Sequence, residues 1–141
     1  MEKKHIENVE DMPVFQLFYE LALKIETMSR PFQSDFKWLR SQLLRASESV
    51  CANMTEGFYS QYSTEYLQSL YRCRREARET MTHLNYAKDT HLLAIGDETL
   101  FAGYDDALRQ LGNLIASIER KIQSHGKAKP INALPVSSID H

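Results

Sequence analysis

The sequence predicts an all-α protein, specifically an antiparallel up-and-down four-helix bundle. Four stretches place apolar residues at spacings of three and four, which is the period of an amphipathic helix. The gaps between these stretches are short and contain proline, serine or glycine, which interrupt helices. No stretch of useful length alternates apolar and polar residues as a half-buried strand would. Four helices joined by short connections are expected to pack as antiparallel neighbours around one core.

The first predicted helix runs from about Met12 to Met28 and follows an N-terminal extension of residues 1–11. Asp11 is a candidate N-cap, because its carboxylate can accept a hydrogen bond from a free amide of the first turn. Pro13 falls in that first turn, where its missing N–H costs little. The Arg30-Pro31 pair predicts the end of the helix, since a residue before proline disfavours helical backbone.

The second predicted helix runs from about Asp35 to Glu56, with Ser34 as its N-cap. Gly57 is predicted just beyond its end, where left-handed backbone favours glycine. Apolar residues at spacings of three and four form one core stripe on this helix. The stripe consists of Phe36, Leu39, Leu43, Ala46, Val50 and Met54.

The third predicted helix begins at Ser63 or Thr64, one of which is expected to cap it, and extends to about Leu93. Gly96 ends the short segment that follows. The fourth helix begins near Asp97-Glu98 and runs to about Ser124, with Gly126 predicted to stop it.

These helices assign residues 12–125 to a single bundle domain and residues 126–141, which hold two prolines and no helical period, to a flexible C-terminal tail. The chain has 141 residues, 43% of them hydrophobic and 26% charged, which is typical of one globular domain. No apolar run approaches the length of a membrane span, and the charged N-terminus lacks the apolar core of a signal peptide. Cys51 and Cys73 are too far apart for a zinc or redox motif and suit reduced thiols. We therefore expect a cytoplasmic protein with no membrane partner.

The second helix carries a distinctive face on the side away from its core stripe. Trp38, Arg45 and Ala52 are seven residues apart and align along the helix axis, with Ser49 and Glu56 beside them. A tryptophan and an arginine in line with small residues are typical of a contact surface for another subunit. The alternative is a solvated face with one exposed aromatic residue.

The third helix contains a cluster of four arginines within about two turns, Arg72, Arg74, Arg75 and Arg78. Arg74 falls within the core stripe of this helix, where a buried charge needs a partner. The cluster can be a salt-bridged or solvated part of the helix, or it can bind phosphates through its guanidinium groups. The net charge of −2 gives no general preference for nucleic acid.

The sequence lacks the motifs that carry common enzymatic chemistry. It contains no HExxH, GxSxG, phosphate-binding loop or GxGxxG motif, and none of the paired Glu-x-x-His motifs of di-iron bundles. Glu79 and His83 make one helical pair of metal ligands at most, and His91 is isolated. We therefore expect a protein that is not an enzyme, with no catalytic residue, no metal and no cofactor.

The stretch LRSQLLRASESVCANMTEGF resembles the signature of the 23S rRNA intervening-sequence proteins, roughly L-x-x-Q-x-x-R-A-x-x-S-x-x-x-N-x-x-E-G. The stretches VFQLFYELALKIETM, STEYLQSLYRCRREA and ETMTHL fit the family as well, so the resemblance covers about residues 12–124. One departure is the Arg75-Glu76 pair, where relatives often carry small residues that permit close approach of helices. The matching signature positions are Gln42, Arg45, Ala46, Ser49, Asn53, Glu56 and Gly57.

The resemblance implies a four-helix bundle that assembles into a ring-shaped homopentamer. Some family members are encoded within insertions in bacterial 23S rRNA genes, and a related branch comprises the accessory variability proteins of diversity-generating retroelements. Members of that branch bind nucleic acid and a reverse transcriptase. The residues that this resemblance and the distinctive face of the second helix assign to an oligomer interface are Trp38, Arg45, Ser49, Ala52, Asn53 and Glu56.

The expected function is therefore that of a non-enzymatic homo-oligomeric accessory protein, a pentamer that binds RNA or DNA through Arg72, Arg74, Arg75 and Arg78. A reverse transcriptase is a further expected partner. The main alternative is a structural protein-interaction scaffold with no affinity for nucleic acid. A third alternative is a bundle enzyme that binds a metal or a small ligand.

Overall fold

A computed structural model describes residues 5–126 and 134–141 of the chain. Each helix in this part of the chain packs mainly against two others, in the pairs α1–α2, α2–α3, α3–α4 and α1–α4. Helix α1 therefore lies diagonally opposite α3, and the all-α four-helix prediction is confirmed. The helices are α1 (Pro13–Ser29), α2 (Lys37–Phe58), α3 (Ser63–Asp89) and α4 (Thr99–Gly126).

The core lies along the apolar stripes of the four helices. On α2 the stripe predicted from the sequence is fully buried from Leu39 to Met54, and only Phe36 at its start is partly exposed. Helix α4 contributes Tyr104, Leu111 and Ile118, each with no exposed surface. Burying each such side chain stabilises the fold by about 1.5–3 kcal/mol, so the core holds the helices together.

Polar side chains do not cap the helices as the sequence predicted. Asp11 lies in a short 3-10 turn that precedes α1, and Ser34 lies in a similar turn that precedes α2. Ser63 is the first residue of α3, and its hydroxyl donates to the backbone oxygen of Pro135 at 2.8 Å. The three predicted side-chain caps are therefore wrong, because 3-10 turns and a distant backbone segment occupy the positions that such caps would take.

The end of α3 also differs from the prediction, since the helix stops at Asp89 rather than near Leu93. His91 adopts left-handed backbone with a φ of 62°, which a continuing helix cannot accommodate. The amide of Leu92 then donates to the backbone oxygen of Ala87 at 2.9 Å, closing the last turn.

Gly57 lies inside the last turn of α2 rather than beyond its end. Among the described glycines only Gly96 has a positive φ, at 99°, so the prediction of a left-handed cap at Gly57 is wrong. A Cβ atom placed on Gly57 would lie 2.4 Å from the Cβ of Ser69 on α3. The glycine is therefore required for the close approach of the two helices.

In the contacts between α2 and α3, residues with lower numbers on α2 meet residues with higher numbers on α3. The two helices therefore run in opposite directions along their shared interface. The contacts are Asn53 with Arg72, Arg45 with Glu79, and Trp38 with Tyr86.

The C-terminal residues 134–141 pack against the start of α3, which differs from the flexible tail predicted for residues 126–141. The amide of Ser63 donates to the backbone oxygen of Leu134 at 2.6 Å. Leu134, Val136 and Ile139 are buried, so this segment extends the core. Residues 127–133 lie outside the described residues. In the described part of the chain, no helix is both long and apolar enough to cross a membrane.

Candidate oligomer and nucleic-acid interfaces

Arg45 joins α2 to α3 through two carboxylates on the solvent side of the bundle. Its Nη2 atom donates to Glu79 Oε1 at 2.5 Å, and its Nη1 atom donates to Glu76 Oε2 at 3.4 Å. The Arg45 side chain is 48% exposed, whereas that of Glu76 is only 17% exposed. We call this solvent-facing junction the α2–α3 seam. It consists of Trp38, Arg45, Ser49, Asn53, Ser69, Arg72, Glu76, Glu79, His83 and Tyr86.

The pKa values of the two glutamates of the seam are shifted in opposite directions. Burial raises the pKa of Glu76, the neighbouring Glu79 carboxylate adds to the rise, and Arg45 opposes it. Burial also acts to raise the pKa of Glu79, but hydrogen bonds from Arg45 and Glu76 outweigh it, so that this pKa is lowered. Arg45 therefore interacts most strongly with Glu79, and the hydrogen bond between them raises the pKa of Arg45.

Asn53 fixes Arg72 in the same seam. Its Nδ2 atom donates to the backbone oxygen of Ser49 at 2.8 Å, which orients the amide. Its Oδ1 atom then accepts from Arg72 Nε at 3.2 Å, and Arg72 Nη2 donates to Ser69 Oγ at 2.9 Å. Arg72 is therefore half-buried between the two helices and is directed toward α2.

An exposed aromatic pair lies at one end of the seam. The rings of Trp38 and Tyr86 are 5.5 Å apart with an edge-to-face angle of 68°. Trp38 is 51% exposed and Tyr86 is 48% exposed, so this pair presents a large apolar surface to solvent. Tyr86 was not predicted from the sequence, although its position three turns after Arg75 would have placed it on the solvent side of α3.

The remaining residues of the predicted interface take different positions. Ser49 and Asn53 are half-buried in the seam, and Ala52 and Glu56 are exposed on α2. Glu56 borders a polar groove that also contains Thr64 and Arg72. The structure therefore brings Trp38, Arg45, Ser49 and Asn53 to the seam and leaves Ala52 and Glu56 beside it.

The predicted arginine cluster is divided among three directions. Arg72 faces α2, whereas the guanidinium of Arg74 lies 5.3 Å from the centre of the Tyr71 ring. Arg75 and Arg78 are exposed, and no carboxylate of the described residues is within 4 Å of their charged nitrogens. The charge that the sequence placed in the core stripe, Arg74, is thus half-exposed and partnered by an aromatic ring.

A cleft of about 420 Å³ separates α3 from α4 on the side away from the seam. Across it the hydroxyl of Tyr71 donates to Glu119 Oε2 at 2.6 Å. This hydrogen bond, together with burial, raises the pKa of Tyr71. The cleft is lined by Leu67, Tyr71, Ala116, Glu119, Arg120, Ile122 and Gln123.

Both cysteines lie in the core as protonated thiols. Burial raises the pKa of Cys51 to about 12, and the Glu48 carboxylate adds to the rise. Burial likewise raises the pKa of Cys73, whose Sγ atom donates to the backbone oxygen of Val50 at 3.2 Å. Neither thiol therefore has the low pKa of a catalytic nucleophile. Across residues 5–126 and 134–141, no group of three or more histidine, cysteine, aspartate or glutamate side chains is arranged to hold a metal ion.

The fold and these surfaces define a four-helix protein whose polar signature residues bridge two neighbouring helices. The family model described as 23S rRNA-intervening sequence protein matches residues 10–117, which is more than half of the chain. The chain therefore belongs to the 23S rRNA-intervening sequence protein family. The match includes the whole α2–α3 seam and ends just before Glu119 and Arg120 of the cleft. A comparison with curated proteins gives no match.

Proposed function

We propose that this chain is a non-enzymatic accessory protein that assembles into a homo-oligomeric ring, a pentamer, and binds RNA or DNA. The observation that carries the proposal is the exposed Trp38–Tyr86 pair beside the ion pairs of Arg45. Aromatic side chains and arginine are enriched at the centres of protein interfaces. A second copy would bury this pair, whereas a monomer leaves both rings half in water.

Exposed apolar residues on the opposite side of the bundle favour a ring over a simple dimer. Tyr19 and Leu23 of α1 are 52% and 55% exposed, and α1 lies diagonally opposite α3. Two different apolar faces can meet head to tail, and such contacts generate a closed ring when the rotation between copies allows closure. The number five comes from the resemblance to the family.

Arg75 and Arg78 support the nucleic-acid part of the proposal. Both side chains are exposed and lack a carboxylate partner among the described residues, so their guanidinium groups are available to phosphates. In a ring these residues repeat once per copy, and several weak contacts then act together. Binding by this route is expected to be largely independent of sequence and sensitive to salt.

The resemblance to accessory proteins of diversity-generating retroelements adds a reverse transcriptase as a proposed partner. Co-expression of the two proteins and recovery of a stable complex by size exclusion tests this part. If no reverse transcriptase gene lies beside the gene for this chain, and the two proteins elute separately, this partner is ruled out.

The second candidate function is a structural scaffold without affinity for nucleic acid. It is favoured by the internal contacts of Arg45 and Arg72, because glutamates pair the charge of Arg45 and Arg72 is half-buried between the two helices. The net charge of −2 also favours it. Both candidate functions require the homo-oligomer, and they differ only in whether it binds nucleic acid.

Assembly is tested by light scattering after size exclusion. We expect a mass several times the 16.4 kDa of one chain, and a lower mass for Trp38→Ser/Tyr86→Ser. Ile95→Ser is the matched control, because Ile95 is a fully exposed apolar residue in the loop before α4. A wild-type monomer at micromolar concentration would refute the ring.

Nucleic-acid binding is tested by fluorescence anisotropy with structured RNA and duplex DNA at about 50 and about 200 mM salt, a range in which phosphate-driven binding weakens strongly. Arg75→Ala/Arg78→Ala should bind more weakly than wild type. Lys24→Ala/Arg30→Ala is the matched control, because it removes the same charge from α1 and from the residue that follows it, and both cations already pair with glutamates of α1. Absence of wild-type binding at the lower salt would leave the scaffold function.

A further inference from the structure

We infer that the cleft between α3 and α4 binds a backbone phosphate of a nucleic-acid strand, held between Arg74 and Arg120. This inference rests on the proposed nucleic-acid binding and assigns it to a particular site. It extends the proposed binding surface from Arg75 and Arg78 of α3 to the cleft and adds a residue of α4 to it.

One arginine of α4 lines the cleft, and one arginine of α3 stacks on an aromatic ring that lines it. Tyr71 lines the cleft together with Arg120, and the guanidinium of Arg74 lies over the Tyr71 ring at 5.3 Å. The stacked ring limits the motion of Arg74, so less side-chain entropy is lost when it binds a phosphate. Arg120 is exposed and has no carboxylate within 4 Å among the described residues.

The one carboxylate lining the cleft is already engaged. Glu119 accepts the Tyr71 hydroxyl at 2.6 Å, which aims the phenol at the carboxylate and not at an incoming phosphate. The negative charge of Glu119 nevertheless remains and opposes an anion at short range. Removing this charge without removing the hydrogen-bond acceptor should therefore strengthen phosphate binding.

The surface of α4 next to the cleft leaves room for a strand. Ala116 lines the cleft, and Gly112 lies one turn earlier on the same side of the helix. A Cβ atom placed on Gly112 would have no neighbour within 4 Å. A strand seated at Arg120 could therefore continue along α4 without meeting a large side chain at these two positions.

The test uses fluorescence anisotropy with a labelled single-stranded oligouridylate and a labelled DNA duplex, and full-length variants checked by circular dichroism. Arg120→Ala should weaken binding several-fold and lower the slope of log affinity against log salt by about 0.7 for the single strand or about 0.9 for the duplex. Glu119→Gln should tighten binding. Arg109→Ala is the matched control on α4, since Arg109 pairs with Asp106, and should bind like wild type.

The outcomes separate this inference from the proposed function. If Arg75→Ala/Arg78→Ala binds weakly while Arg120→Ala and Glu119→Gln both bind like wild type, nucleic-acid binding stands and the cleft is not its site. If wild type binds neither probe, the proposed nucleic-acid function fails and the inference fails with it. Tighter binding by Glu119→Gln supports the cleft even if Arg120→Ala proves unstable.

Discussion

Gly57 of α2 lies so close to Ser69 of α3 that a methyl group on the glycine would come within 2.4 Å of the serine Cβ. We therefore expect Gly57→Ala to destabilise the protein. Alanine gains about 1 kcal/mol over glycine in helix propensity, but overpacking at a helix contact costs about 1–3 kcal/mol and forces the helices apart. Urea unfolding followed by circular dichroism measures the net change.

Gly112→Ala provides the matched control for this substitution. Gly112 is also inside a helix, but its missing Cβ faces open space, so only the propensity gain of up to about 1 kcal/mol remains. The two substitutions should shift the unfolding midpoint in opposite directions. Equal shifts would show that the α2–α3 contact does not depend on the glycine.

Tyr104 has a fully buried hydroxyl without a hydrogen-bond partner among the described residues. A buried polar group of this kind costs about 1–3 kcal/mol, so Tyr104→Phe should leave the melting temperature unchanged or raise it. Tyr66→Phe is the comparison, because the equally buried Tyr66 hydroxyl contacts Met12 Sδ at 3.3 Å and His141 Nδ1 at 3.1 Å. Loss of the Tyr66 hydroxyl should lower the free energy of unfolding by about 0.5–1.5 kcal/mol. A clear drop for Tyr104→Phe in calorimetry would indicate an unrecognised partner.

Arg45→Ala should destabilise the protein modestly at neutral pH, by about 1 kcal/mol, since half-exposed ion pairs contribute little. The loss should shrink as the pH falls below 4.5, the ordinary pKa of glutamate, and through the lowered pKa of Glu79, because the ion pair between Arg45 and Glu79 is then lost from the wild type as well. Adding Glu76→Gln to Arg45→Ala should recover part of the lost stability at neutral pH. A double-mutant cycle measured at both pH values tests the coupling, and zero coupling at neutral pH contradicts it.

Docking of the C-terminal segment should weaken in mild acid. The ring of His141 lies 4.9 Å from Phe58 and 5.3 Å from Tyr66, and this burial, with His5 nearby, lowers the His141 pKa from its ordinary 6.5 against the opposing effect of Asp140. The docked histidine resists protonation, so its contribution is complete above pH 6.5 and is lost as the pH falls through the lowered pKa. The effect is modest because the residue keeps an exposed side.

Amide hydrogen exchange at Ser63, which donates to Leu134, measures this docking. Protection corrected for the intrinsic rate should fall between about pH 7.5 and about pH 5.5, the range in which histidine titrates. His141→Gln should remove most of this pH dependence. The same loss of protection in that variant would assign the effect to another titratable group.

The sequence was sufficient for the helices and for the side of α2 that enters the core, because periodicity reports directly which residues share a face. It could not show whether a glycine near a helix end adopts left-handed backbone or allows a neighbouring helix to approach closely, and so Gly57 was assigned to a cap. It also could not show that Tyr71 meets Glu119, since periodicity does not say which helices are neighbours or at what height they meet. The partners of Arg45, Glu76 and Glu79, were hidden for the same reason.

The hydrogen bond from Ser63 to the backbone of Pro135 joins positions 72 residues apart in the chain. Closing so long a loop directly is entropically unfavourable, but the packing of α3 against α4 brings these positions near each other beforehand. The C-terminal segment should therefore attach late in folding, after the helices have assembled, and should detach before they separate. Early proteolytic nicking of that segment, with the helices still intact, would be the kinetic signature of this order.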